Sequence, residues 1–250
     1  MYTEFSVAML SAFPNAKLYF YEDGTASYQG ITVNSRSVDK RKKLYKYLPL
    51  KKPNLIPDLM YLYRPELFHE VKPQTKSIHN HISEALFKIF GSYDHSNDNY
   101  CNYKAIYLAQ PNDDCLADYN QIEEVVLNTI KDCGIETIVR VHPRQLKSDY
   151  KKWNIDHNES MWELLCMNKI QNYHVLISFY STAQFTPKLL YDKEPYLVFM
   201  FPIFKNQYNE DRYNGMINLV EDIRNSYEDK NKIILIKDLN DLEQIKSLLE

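Results

Sequence analysis

The sequence predicts an α/β protein built on a parallel, doubly wound sheet. Three observations predict it. From Lys104 onward, short apolar runs alternate with amphipathic stretches of helical period, strand then helix then strand. No internal repeat of solenoid period competes with that alternation. The composition, 44% apolar and 25% charged over 250 residues, is ordinary for globular proteins and long enough for one large or two modest domains.

Taken in order, residues 1–16 carry no clear pattern and break at Phe13-Pro14-Asn15. Residues 17–25 (Lys-Leu-Tyr-Phe-Tyr-Glu-Asp-Gly-Thr) read as a strand that runs into a turn, with Leu18, Phe20 and the tyrosines as strand formers and Asp23-Gly24 as the turn dipeptide. A basic segment follows, residues 36–52, with Val38, Leu44, Tyr45 and Leu48 interleaved. It suits either a solvated helix face or a basic amphipathic helix against an anionic membrane surface. Residues 59–63 read as a strand and 78–90 as a helix with Ile82, Leu86 and Ile89 on one face. The polar stretch 91–103 reads as a linker, so the expected domains are 1–95 and 104–250.

The alternation then runs as strand 105–109, helix 119–133 closed by Gly134, strand 137–141, short helix 160–168 and strand 174–178. Helix 182–191, strand 196–200, helix 211–227, strand 233–236 and a final helix 239–249 complete it.

Several function classes are disfavoured. A net charge of −3 provides no field that would draw the chain onto nucleic acid. Cys101, Cys115, Cys133 and Cys166 are widely spaced, without a Cys-x-x-Cys pair, which argues against a zinc site or a disulfide framework and favours a reduced, cytoplasmic setting. No apolar run approaches the roughly 18–20 residues of a membrane span. The first ten residues lack the pattern of a signal peptide. The absence of Gly-x-Gly-x-x-Gly or a Walker pattern weakens ATP and dinucleotide readings.

Four stretches carry candidate chemistry. Glu22-Asp23-Gly24 sits at the carboxyl end of its strand, where open α/β sheets place ligand groups, although such acids also serve as plain turn residues. In Val139-Arg140-Val141-His142-Pro143-Arg144, a histidine flanked by two arginines ends a strand. The arginine forks suit phosphate or carboxylate oxygens and His142 could donate a proton to a leaving group. A strand-end histidine bonded to a loop carbonyl is the bland alternative. Ser181 and Thr182 sit where a strand meets a helix, either as an N-cap alone or as part of a phosphate site at the helix start. Glu163 is either a first-turn acid or an acceptor for a ribose hydroxyl.

In this order and spacing, Glu22-Asp23-Gly24, His142-Pro143 and Ser181-Thr182 resemble the acid-acid-Gly, His-Pro and Ser-Ser/Thr motifs of the bacterial sialyltransferases. The stretch from Tyr21 to Tyr28, with Leu108-Ala109-Gln110-Pro111 and Val141-His142-Pro143-Arg144, resembles in particular glycosyltransferase family 52, which includes lipooligosaccharide α-2,3-sialyltransferases. That resemblance implies a GT-B architecture of two Rossmann-like domains. It also implies inverting, metal-independent transfer from CMP-sialic acid to a terminal galactose of a bacterial surface glycan, lipooligosaccharide or capsule. By motif, Asp23 would be the general base, His142 would protonate or hydrogen-bond the departing phosphate, Ser181 and Thr182 would bind it, and Glu163 would hold the ribose. Few residues precede Lys17, so a complete C-terminal nucleotide domain beside a truncated N-terminal one is the expectation. The expected partners are a nucleotide-sugar donor, a glycan acceptor, an anionic membrane through residues 36–52 and a second copy in a homodimer. The competing readings are a related transferase with another donor, a nucleotide-binding remnant without catalysis, and an α/β interaction protein.

Overall fold

The computed structural model describes residues 13, 15–22, 24–28, 57–69, 73–90, 100–243 and 245. Asp23, the basic segment 36–52, most of the expected linker and the end of the last expected helix lie outside the described residues. The chain divides into two compact units, 1–80 and 81–250.

The first unit holds a parallel sheet of β1 (Tyr19–Tyr21), β2 (Leu59–Leu62) and β3 (Gln74–Ser77), in that spatial order. β2 is central and alternates half-buried and buried residues, with Met60 and Leu62 inward. β3 is polar and mostly exposed, and its sequence gives no strand signal; it is held by its ladder with β2, Leu59 pairing with Gln74 and Leu62 with Ser77. The helix α1 (His79–Phe90) follows.

In the second unit β4 (Ala105–Leu108) is followed by α2 (Tyr119–Asp132) and β5 (Thr137–Arg140). α2 ends as expected at Gly134, whose φ of +72° is the left-handed conformation that favours glycine. Its N–H bonds back to the Lys131 carbonyl, and that of Ile135 to Ile130, closing the last turn. A two-residue strand β6 (Asn154–Ile155) lies at the sheet edge. Next come α3 (Trp162–Asn168), β7 (Val175–Ser178), α4 (Thr182–Tyr191), β8 (Tyr196–Phe199), α5 (Glu210–Ser226) and β9 (Ile233–Leu235). The expected helix 160–168 starts two residues later, at Trp162, because Met161, at φ −58° and ψ 139°, is its non-helical N-cap. The expected final helix opens with a 3-10 turn at Leu239–Leu242, capped by Asp238, and Glu243 and Ile245 are helical.

The six strands are all parallel, in the order β6-β5-β4-β7-β8-β9. The chain builds outward from β4 to one edge, returns to the other side of β4 at β7, and builds outward again. This is the doubly wound, Rossmann-like order, whose point of reversal lies between β4 and β7. Ala105, Tyr107, Val139, Val175, Ile177 and Val198 belong to one core cluster with Val126, Leu127 and Ile130 of α2. Their neighbours of opposite parity, Ile106, Leu108, Ile138, Leu176, Leu197 and Phe199, are buried too. Both faces are covered, which is why the strands read as unbroken apolar runs. No helix among the described residues is long and apolar enough to cross a membrane.

Candidate functional site

The loops leaving β4, β5 and β7 and the starts of α3, α4 and α5 enclose a cavity of about 680 Å³. Arg140, His142, Pro143, Arg144, Glu163, Ser181 and Thr182 all line it. Three stretches separated by tens of residues are thus brought together by the strand order, at the carboxyl ends of the strands where a doubly wound sheet presents its ligand groups.

His142 follows β5 by two residues. Its Nδ1 accepts the backbone N–H of Arg144 at 3.1 Å. In the neutral ring that acceptor role leaves the proton on Nε2. Burial, reinforced by the charge of Arg144 and only partly offset by Asp113, holds its pKa below the ordinary histidine value. The neutral imidazole is therefore favoured at neutral pH, with an Nε2–H donor on a ring that borders the cavity.

Arg140 is built differently from the open anion fork that the sequence suggested. One guanidinium nitrogen bonds Asp156 and the Tyr100 hydroxyl, and the other donates to the Ser160 carbonyl at 2.6 Å. The guanidinium also lies over the Trp162 ring, 5.5 Å from its centroid. Burial opposes the Arg140 charge, but Tyr100 and Asp156 outweigh it and push the pKa up. Arg140 thus fixes the loop 156–161, whose residues from Glu159 on form part of one wall. Arg144 makes a paired contact with Asp113, at 2.6 and 3.2 Å, and Arg212 contacts Asp114 at 2.7 Å. These pairs fasten the loop after β4 to the loop after β5 and to the first turn of α5.

Of the two residues placed to cap α4, Ser181 is the N-cap and Thr182 the first helical residue. The Ser181 Oγ accepts from the Ala183 N–H while the Gln184 side chain reaches back to the Ser181 N–H. The fully buried Gln184 also donates to the carbonyls of Leu176 and Val198, tying the helix start to β7 and β8. Pro187, inside α4, has no N–H for the Ala183 carbonyl four residues earlier. The indole N–H of Trp162 takes that carbonyl instead, at 2.7 Å. Glu163, in the first turn of α3, is positioned through this contact.

The first motif lies in the other unit. Glu22 is buried at 8% exposure, and its carboxylate accepts from the Tyr28 hydroxyl and from the Tyr63 N–H, the latter at 2.7 Å. The Tyr28 hydroxyl in turn accepts from the Arg64 N–H at 3.1 Å. Glu22 thus shapes the loop after β1, and Gly24, at φ +135°, makes the turn possible. Asp23, between them, is outside the described residues.

Sequence reasoning missed Gln110, Asp113, Asp114, Tyr208 and Arg212 as cavity-lining residues. Gln110 had a signal, since it follows directly from the strand 105–109. Arg212 had none, because nothing local shows that the first turn of α5 faces this site. Among the described residues, no three His, Cys, Asp or Glu side chains gather closely enough to hold a metal.

A search of curated proteins finds no match. A family model described as alpha-2,8-polysialyltransferase matches residues 2–198 of the 250, well over half the chain and both units. On that match, the chain belongs to the alpha-2,8-polysialyltransferase family.

Proposed function

We propose that the chain transfers sialic acid, with inversion, from CMP-sialic acid to the non-reducing end of a bacterial surface glycan. The carrying observation is His142, whose Nδ1 is occupied and whose Nε2–H is left to the cavity that the α4 start also borders. Departure of CMP builds charge on phosphate oxygens. Donors fixed in advance stabilise that charge without reorganising. His142 serves as donor to the leaving oxygen, and Ser181 and Thr182 at the positive end of α4 hold the phosphate. Glu163 takes a ribose hydroxyl. Pro143 and Arg144 set the His142 loop, the latter by the backbone bond to Nδ1.

On the acceptor side, Asp23 takes the hydroxyl proton as that oxygen attacks the sialyl carbon, with Glu22 and Gly24 shaping its loop. No metal is required for this displacement. The family name favours a sialic acid acceptor joined by an α-2,8 bond. The motif resemblance to family 52 favours a terminal galactose, as in lipooligosaccharide. The basic run 36–52 supports peripheral contact with an anionic lipid surface on the cytoplasmic side.

The test is CMP release from CMP-sialic acid by the purified chain, with oligosialic acid and a galactose-terminated glycan offered in parallel. The expected result is acceptor-dependent release that Asp23→Asn and His142→Ala each lower by roughly a hundredfold or more. The preferred acceptor decides the linkage class. Saturable CMP binding without release on either acceptor would instead identify a binding module.

A further inference from the structure

We infer that the side-chain amide of Gln110 is a ligand-binding group, donating through Nε2 to a phosphate oxygen of the bound nucleotide. This rests on the nucleotide reading of the cavity given above.

Gln110 leaves β4 and lies at the point where the sheet reverses direction. Its Oε1 spans the crevice between β4 and β7, accepting the Ser178 hydroxyl at 2.9 Å and the Tyr180 N–H at 2.8 Å. Because Tyr180 offers a backbone N–H, which can only donate, the amide orientation is fixed: oxygen toward β7, nitrogen away. The backbone carbonyl of Gln110 accepts two more bonds, from the Tyr119 hydroxyl at 3.0 Å and from Gln145 Nε2 at 3.2 Å. Pro111 behind it restricts its backbone to extended conformations. Four bonds thus immobilise the residue, and all four use it as an acceptor.

Its two Nε2–H donors have no acceptor among the described residues, and the residue lines the cavity. The fold itself asks only for an acceptor at this position. A glutamate would bind Ser178 and Tyr180 more strongly, since an ionised acceptor makes the stronger bond. The amide nitrogen is what glutamine adds, on a residue that lines the same cavity as His142 and the start of α4. A rigid neutral donor at the reversal point, one residue chain away from Tyr180-Ser181, suits an anionic oxygen held by that same helix start.

The test uses the full chain with CMP and cytidine as probes. Gln110→Glu keeps an acceptor for Ser178 and Tyr180 but replaces the donor with a negative charge. The expected result is a thermal unfolding midpoint no lower than that of the wild type and a loss of CMP affinity of roughly tenfold or more, with cytidine affinity unchanged. In the wild-type chain, the Gln110 side-chain amide proton resonances should move on adding CMP and stay in place with cytidine, which keeps the test open if the variant folds poorly. Equal CMP affinity in variant and wild type, or equal losses for CMP and cytidine, overturns the inference and leaves the cytidine-nucleotide reading standing. If the wild type binds another nucleoside monophosphate instead of CMP, and Gln110→Glu loses it, the inference stands and the CMP reading falls. Binding of no nucleoside monophosphate by the wild type overturns both.

Discussion

Replacing Arg140 by methionine should destabilise the second unit by about 3–5 kcal/mol, the range for breaking a buried ion pair by removing one partner. The magnitude follows from what would be left behind. Asp156 is 5% exposed, and its remaining partners would be the Tyr100 hydroxyl and the Asn158 N–H. Methionine preserves much of the stem packing, so the loss reports mainly the unpaired carboxylate and the orphaned Ser160 carbonyl, which the guanidinium holds at 2.6 Å. Against a typical domain stability of about 5–15 kcal/mol this is a large fraction. Trp153 and Trp162 are the two tryptophans of the chain, and both belong to the second unit. Urea unfolding followed by tryptophan fluorescence therefore reports that unit alone. In a double-mutant cycle, Asp156→Asn in the Arg140→Met background should recover part of the loss, because the buried charge is gone. A loss below about 1 kcal/mol, the worth of a surface pair, or the absence of any recovery would refute the reasoning.

Two further outcomes follow from the same unit. Trp162→Phe keeps most of the ring but orphans the Ala183 carbonyl, and should cost about 1–3 kcal/mol by urea unfolding; adding Pro187→Ala, which restores a helical N–H to that carbonyl, should return part of it. His174 is fully buried, accepts the Gln171 N–H on Nδ1 at 2.8 Å and reaches the Tyr100 carbonyl through Nε2. Burial, aided by Lys193, keeps its pKa below the ordinary value against the pull of the Tyr100 and Gln171 carbonyls. The unfolded chain therefore takes up a proton, below its pKa of about 6.5, that the folded chain refuses. Stability should fall as pH drops below about 6.5, and His174→Asn should make the urea midpoint measured from pH 7.5 to 5.5 less steep, with an unaltered slope as the contrary result.

The sheet of the second unit was legible because burial on both faces imposes long apolar runs, and α4 because Ser181 announces its start. Other parts gave no local signal. β3 is Gln-Thr-Lys-Ser, polar at every position, and exists only through its ladder with β2. β6 is two residues long and is held by pairing with β5. The cavity lining was legible where residues lie within three positions of a strand end, as His142 and Ser181 do. A residue's role was not legible where a partner decides it. Arg140 looks identical in sequence whether it faces a ligand or Asp156, sixteen positions later in a polar loop.

The pairing of the arginines changes how the cavity handles an anion. Arg140, Arg144 and Arg212 are the arginines that line it, and each is matched to a carboxylate, Asp156, Asp113 and Asp114 respectively. No lysine lines it. On the proposed reading, the groups that meet the phosphate are neutral donors: His142 Nε2–H, Gln110 Nε2 and the start of α4. Such donors are set in place before charge develops and act in a partly water-excluded site, so they favour the oxygen that becomes more negative as the bond to the sugar breaks. A full cation would hold the anionic donor and the released nucleotide as tightly as the transition state, which lowers KM without raising kcat. On the proposed reading, in which CMP must leave before the next donor binds, the Asp partners offset the arginine charges and leave the phosphate chiefly to these neutral donors.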